Sequence, residues 1–74
     1  AYRVPSPGGV VALRVYDVAG RLTRTLVDRW ENPGSHVTVW DGLNDEGARV
    51  ASGVYFCVLE AAGETARHKI VRLR

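Results

Sequence analysis

Hydrophobic and polar positions alternate along most of this 74-residue chain, which is the period of strands that bury one face and wet the other. Residues 10–18 set Val11, Leu13 and Val15 on one face against Ala12, Arg14 and Tyr16 on the other. Leu13 and Val15 are assigned to the core. Ala19 and Gly20 then reverse the chain, because Gly20 takes a positive φ that a side chain resists, and residues 21–30 return as the partner strand of a first hairpin. In that strand Leu22 and Leu26 share a face with Arg24 between them, so strict alternation fails and a bulge or an edge position is predicted at Arg24. Helix is the rival reading of residues 21–31, since Leu22, Leu26 and Trp30 recur every four positions. The β-branched Thr23, Thr25 and Val27 and the preceding glycine turn favour strand.

The remaining pattern extends the same reading in both directions. Tyr2, Arg3 and Val4 read as an extended stub on which the chain opens, and Pro5, Ser6, Pro7, Gly8 and Gly9 form a turn. Asn32, Pro33 and Gly34 end the second strand of the hairpin. Val37 and Val39 then lie on one face with His36, Thr38 and Trp40 on the other, which predicts a strand covered on both sides. Residues 41–47 form a polar turn, and Ala51, Ser52 and Gly53 a second one. In residues 54–60, Tyr55, Cys57 and Leu59 share a face and Val54, Phe56 and Val58 take the other. Such a near-continuous apolar run predicts the central, best-protected strand. Ala62 and Gly63 make the last reversal, and residues 65–73 close the sheet with Val71 and Leu73 inward and His68, Ile70 and Arg72 outward. Strands punctuated by turns about every ten residues make this one all-β domain, an antiparallel β-sandwich of about six to seven short strands. No internal repeat or low-complexity tract interrupts it.

Composition narrows the function classes. Hydrophobic residues make up 46% and charged residues 24% of the chain, a folded globular balance and not that of a disordered tail. At this length folding hides only about 60% of the unfolded surface, so the core is thin. The single Cys57 cannot form an internal disulfide, and stability rests on packing and ladder hydrogen bonds. Net charge is +2, with the signs mixed except at the end, where Arg67, His68, Lys69, Arg72 and Arg74 occur without an acid among them. A solvated strand face accounts for these cations better than nucleic-acid binding, which needs stacking aromatics on the same face. No apolar stretch approaches the roughly 20 residues that span a bilayer, and the first residues lack a signal-peptide profile. Membrane insertion is not expected, and an export signal, if the parent has one, lies elsewhere.

Candidate chemistry is sparse. Asp41, Asn44, Asp45 and Glu46 crowd oxygen ligands together as calcium loops do, yet Leu43 occupies a ligand position and the distal Glu is missing, so turn chemistry explains them. His36, His68 and Cys57 match no zinc spacing, and Cys57 reads as a small buried hydrophobe. Ser35 and His36 lack the glycine-framed turn of a hydrolase nucleophile. Trp30, Trp40, Tyr2, Tyr16 and Tyr55 are the rings available for a sugar-stacking platform, with Trp30 the one expected at the surface. No catalytic, cofactor-binding or metal-binding residue is assigned, and no cofactor is expected. Gly20, Trp40, Gly53 and Tyr55 are read as fold-defining. A short first strand would leave a neighbouring sheet edge able to accept a strand from another chain, but the Lys and Arg of the closing strand read better as charges that discourage such edge pairing.

Leu13 to Arg21 (LRVYDVAGR), the run from Gly34 ending in Trp40-Asp41-Gly42, the Asn44-Asp45-Glu46-Gly47 turn and Ala51 to Phe56 (ASGVYF) together resemble the immunoglobulin-like domain of the flagellar hook-capping protein. The same pattern resembles the C-terminal sorting domains of many large secreted bacterial proteins, including those exported by the type IX system. The order and spacing of these segments cover nearly the whole chain. The resemblance implies an immunoglobulin-like, non-catalytic β-sandwich at the end of a larger secreted or cell-surface bacterial protein. As a sorting module it would be recognised by export or anchoring machinery, with Lys69, Arg72 and Arg74 on a closing strand similar to that of the sorting domains. As a hook-cap-like module it would be an assembly scaffold, with copies of itself as possible partners through a sheet edge. The chain departs from its relatives at position 57, often aromatic in them and Cys57 here, and lacks the Asn-Pro-rich opening common to sorting domains.

Overall fold

The computed structural model describes residues 1–73 and contains six strands in two antiparallel sheets. β1 (Tyr2–Val4) pairs with β4 (Gly34–His36) in a two-stranded sheet. β2 (Gly9–Asp17), β3 (Leu22–Glu31), β5 (Gly53–Ala61) and β6 (Glu64–Arg72) form a four-stranded sheet in the order β3-β2-β5-β6. No helix occurs among the described residues, so the strand reading of β3 holds against its helical rival.

The β2–β3 hairpin closes as the glycine turn predicts. Gly20, at φ 82°, donates its N–H to the Asp17 carbonyl at 3.0 Å. The Asp17 carboxylate does the rest: Oδ1 accepts the Ala19 and Arg21 backbone N–H groups, each at 2.9 Å, and Oδ2 pairs with Arg21 Nε at 3.1 Å. The irregularity predicted around Arg24 is also present. The β2–β3 register slips between Leu13 and Arg14 and again between Val15 and Tyr16, leaving Leu26 and Thr23 as extra residues on β3, which is an edge strand. The last reversal is a two-residue turn with Ala62 at φ 53° and Gly63 at φ 77°. Both angles are positive, as the right-handed twist of a tight hairpin requires.

Residues directly opposite each other share a face of a sheet, so the register fixes the core. Val11, Leu13 and Val15 of β2 line up with Ala61, Leu59 and Cys57 of β5 and, across the other edge, Leu13 faces Val27 of β3. Val4 of β1 joins Val11, Leu13 and Val27 in a single buried cluster, with Tyr2, Leu26, Cys57, Leu59 and Ala61 packed around it. Through Val4 the short sheet meets the face of the four-stranded sheet that carries Val11, Leu13 and Val27, the face on which the buried Val15 and Tyr55 also lie.

Three expectations are corrected. The first is the strand through residues 37–40: β4 ends at His36, opposite Tyr2 of β1, and the extended segment beyond it has no ladder partner. Its alternation survives, but Val37 and Val39 are 77% and 81% exposed, so only one face is covered. The second is the facing of β6. Tyr55 is buried and lies opposite Ile70, which places His68, Ile70 and Arg72 on the inner face and leaves Val71 and Leu73 outside. The third is the ranking of the strands. β5 is central, yet the best-buried strand is β2, whose Val11 and Val15 are fully enclosed. Both strands are bare on their outer side, and the difference lies on the inner face, where Cys57 and Leu59 of β5 are only half-buried while Val11, Leu13 and Val15 of β2 are enclosed.

Hydrogen bonds from the Arg21 and Ala19 backbone, together with the Arg21 side chain, hold the Asp17 carboxyl below its ordinary value even though burial opposes them. A lowered carboxyl stabilises the fold above its unfolded pKa and stops doing so as pH falls through its folded pKa. Thermal melts of Asp17→Asn should therefore lie below those of the parent near about pH 7 and converge with them at about pH 2, below the usual carboxylate range. Curves separated equally at both pH values would mean that charge plays no part in the turn.

Candidate functional site

The chain brings its chemistry-bearing side chains together in separate clusters, and each has a structural task. At the end of β3, the inner-face position of Glu31 puts its carboxylate under the two-stranded sheet with only 7% of the residue exposed. Tyr2 of β1 donates its hydroxyl to Glu31 Oε1. His36 of β4 approaches Oε2 with Nδ1 at 3.3 Å, and Arg29 Nη2 is 3.5 Å from the same oxygen. The opposite ring nitrogen of His36, Nε2, meets the Asn32 carbonyl at 2.8 Å. Tyr2 stacks on His36 with ring centroids 5.5 Å apart. Burial, reinforced by the bond to Glu31, pushes the Tyr2 phenol above its ordinary value. Both nitrogens of His36 being engaged, the ring does not address Ser35.

A second cluster closes the opposite end of the inner face. Tyr55, buried, donates its hydroxyl to the Ala51 carbonyl at 2.7 Å, four residues upstream, the geometry of a tyrosine corner. Trp40 is half-buried; it meets Tyr55 edge to face at 5.3 Å and donates Nε1–H to the Leu43 carbonyl at 2.9 Å. The Arg72 guanidinium lies over the Trp40 ring, 5.3 Å from its centroid, in the space left by the missing side chain of Gly42. Gly53 starts β5 at φ 155°, in backbone that side-chain-bearing residues rarely adopt. The fold-defining residues named from sequence thus fall at a turn (Gly20), a strand start (Gly53) and one packed ring pair (Trp40, Tyr55).

Of the residues named for a recognition strand, Lys69 and Arg72 are not brought together. Arg72 faces inward against Trp40, whereas Lys69 lies opposite Phe56 on the outer face. Arg74 lies outside the described residues.

Sequence reasoning missed what holds residues 41–47. The slipped register of β3 leaves backbone groups of Thr23 and Thr25 for this loop: Asp45 N–H donates to the Thr23 carbonyl at 3.0 Å and Thr25 N–H to Asp45 Oδ1 at 2.9 Å. Arg24 Nη1 donates to the Leu43 and Asn44 carbonyls at 3.4 and 3.3 Å and lies 3.6 Å from Asp41 Oδ1. Asp41 Oδ1 also accepts the Leu43 N–H, and Asn44 Oδ1 accepts those of Glu46 and Ala48. Asp41, Asn44 and Asp45, three of the four residues that resemble a calcium loop, thus each hold a backbone N–H group through a side-chain oxygen. The break in alternation at Arg24 was the signal available in the sequence. For the Tyr2–Glu31–His36 cluster there was none, since Tyr2 and Glu31 stand 29 positions apart.

Cys57 and His68 are opposite each other on β5 and β6, but His36 is committed to Glu31 and Asn32. Among the described residues no group of three or more His, Cys, Asp or Glu is arranged to hold a metal. Burial pushes the Cys57 thiol up, which keeps it protonated and packed with the core. The five rings named for sugar stacking do not share a surface. Tyr2, Trp40 and Tyr55 are on the inner side, while Trp30 opposite Val10 and Tyr16 opposite Leu22 stand at different ends of the outer face.

The family model of the FlgD Ig-like domain matches residues 1–65 of the chain. No curated protein matched the chain significantly, and no solved structure did.

Arg24→Ala should cost about 1–2 kcal/mol through its lost hydrogen bonds, with faster amide exchange confined to residues 41–48 and Thr25. Exchange that rises uniformly over the four-stranded sheet would show that Arg24 does not act through the loop.

Proposed function

Since the chain belongs to the FlgD Ig-like domain family, we propose that it is a non-catalytic structural module of hook-capping type in a flagellum-associated bacterial protein at the cell surface. The family match over residues 1–65 is the observation that carries this reading. The packing supports a sandwich: the short sheet lies on the inner face of the large one, and Tyr55 supplies the corner bond typical of immunoglobulin-like domains. The titratable clusters support a structural role as well. Glu31, Arg24 and Arg72 are each engaged by neighbours that fix strands or loops. In such a module the expected partners are other proteins of the assembly.

A sorting or anchoring role at the C-terminus of a secreted protein is the second reading. The observation in its favour is that β6 is an edge strand whose residues 64–69 are all exposed, Lys69 among them, so export machinery would reach it without unfolding the core.

Immunogold labelling of the parent protein on intact cells tests the two together. The hook-cap reading predicts gold at the tips of growing hooks and loss of hooks when residues 1–74 are deleted. Gold spread over the envelope, on cells whose hooks assemble normally after the deletion, would overturn it in favour of sorting.

A further inference from the structure

β3 is an edge strand of the four-stranded sheet, and Asp45 plugs its free side at one point. The Asp45 N–H donates to the Thr23 carbonyl at 3.0 Å, and Asp45 Oδ1 accepts the Thr25 N–H at 2.9 Å. In a parallel ladder one residue makes both of these bonds, to the two neighbours of the residue it opposes, with its own backbone carbonyl as the acceptor. Asp45 therefore occupies the place of a parallel-strand residue opposite Arg24, with Oδ1 standing in for the carbonyl. Asp side chains compete with backbone groups in this way. An unplugged edge of this kind accepts a strand from another chain.

The plug belongs to a loop that holds its own shape. Asn44 N–H donates to the Ala48 carbonyl at 2.8 Å, Gly47 N–H to the Asn44 carbonyl at 3.0 Å and Val50 N–H to the Gly42 carbonyl at 3.0 Å. Leu43 and Arg49 form a bridge, and Trp40 at the root holds the Leu43 carbonyl. None of these bonds involves β3. What joins the loop to β3 is polar: the two Asp45 bonds, the Arg24 Nη1 bonds to the Leu43 and Asn44 carbonyls, and the approach of Arg24 to Asp41 at 3.6 Å and to Asp45 at 4.0 Å. Residues 45–49 are exposed, and no side chain of residues 41–50 belongs to the buried core. A cleft of about 390 Å3 already separates the loop from the start of β3, lined by Leu22, Thr23, Asn44, Asp45 and Val50 among others. Polar contacts of this kind exchange with water at small net cost, unlike buried apolar ones.

We propose that residues 41–50 are an autoinhibitory cover on a strand-accepting edge: when the loop swings away, an extended segment of another protein pairs in parallel with β3 at Thr23 and Thr25 and sets a carboxylate beside Arg24. The inference goes beyond the hook-cap and sorting readings and rests on neither. The cover itself specifies the occupant. It shows that the edge takes a donor at the Thr23 carbonyl and an acceptor at the Thr25 N–H from one residue, and that Arg24 takes carboxylates, Asp41 and Asp45 being its ion-pair partners among the described residues. A second copy suits the edge poorly. Two β3 strands related by the two-fold axis of a closed sheet-to-sheet dimer run antiparallel, which is not the pattern Asp45 imitates.

The test uses the isotopically labelled chain and a short synthetic peptide of threonines and valines around one central aspartate. Saturating peptide should move the amide signals of Thr23, Thr25 and residues 44–48 together, since the cover leaves as the strand enters, and should leave those of β6 in place. Asp45→Ala, at an exposed position, should keep the parent's β5–β6 protection and bind the peptide at least about tenfold more tightly, because the competent state is already populated. Asp45→Asn retains Oδ1 and should bind like the parent. Thr25→Pro removes an N–H on the free side of an edge strand, where proline is tolerated, and should abolish binding in the Asp45→Ala background. A spin label on the peptide N-terminus should broaden Leu22 and spare Asp28, as parallel pairing requires. The proposal is overturned if saturating peptide leaves the loop amides unmoved, if Asp45→Ala folds and binds no better than the parent, if the shifts map to β6, if the label broadens Asp28 instead, or if the same peptide with lysine for aspartate binds equally. Self-association of Asp45→Ala through β3 without peptide binding would overturn it in favour of a second copy. Should Asp45→Ala fail to fold, the titration and the spin label on the parent chain decide alone.

Discussion

The two-stranded sheet of this domain cannot hold itself in place, and one buried carboxylate does it instead. Each of its strands has three residues, and an isolated pair of that size is not stable in water. Glu31, at the end of the ten-residue β3, receives a hydroxyl from β1 and lies against the imidazole of β4, so a single side chain of the large sheet fastens both strands of the small one. Without that attachment Val4 would not be driven onto Val11, Leu13 and Val27, and the core would lose its lid. A buried carboxylate is costly unless it is paired, and removing one partner leaves an uncompensated charge worth about 3–5 kcal/mol. In a domain whose whole stability is of order 5–10 kcal/mol, this cluster is decisive.

The same economy governs the rest of the molecule. A chain of this length has apolar surface enough to cover one side of a four-stranded sheet, and the covered side is filled by valines and leucines instead of large rings. The rings are used at the margins: Trp40 and Tyr55 close one end of the inner face, and Tyr2 closes the other by stacking on His36. Edges are handled locally. Loop residues 41–47 occupy part of the outer edge of β3 through Arg24 and Asp45, while β6 leaves its edge open beneath exposed polar side chains. The open outer face is the other consequence.

Local signals were legible in the sequence and long-range polar ones were not. Alternation in residues 10–17 and 54–60 and the glycine turns at Gly20 and Gly63 reproduce the two hairpins, because pleat and turn chemistry act over a few residues. Alternation also set Thr38 and Trp40 on the face opposite Val37 and Val39 correctly, yet it carries no information about which face is covered or whether a partner strand is present, and residues 37–40 have none. In β6 the period was right and the side was wrong, since both sets of alternate residues are partly apolar and only pairing with Tyr55 decides between them. Arg72 and Lys69 were grouped through the resemblance to a sorting strand, although strand residues of opposite parity point to opposite faces. The contacts that organise the candidate surfaces, Tyr2 with Glu31 and Arg24 with the loop at Leu43, join residues far apart in the chain, and period-two reasoning does not reach them.

Amide hydrogen exchange on Glu31→Ala, compared with the parent chain, addresses the Glu31 attachment most directly. The account predicts that protection is lost in β1 and β4 first and by the largest factor, with the β5–β6 ladder keeping most of its protection until global unfolding. Protection unchanged in β1 and β4, or lost equally in every strand, would show that the small sheet is held by something other than the buried carboxylate.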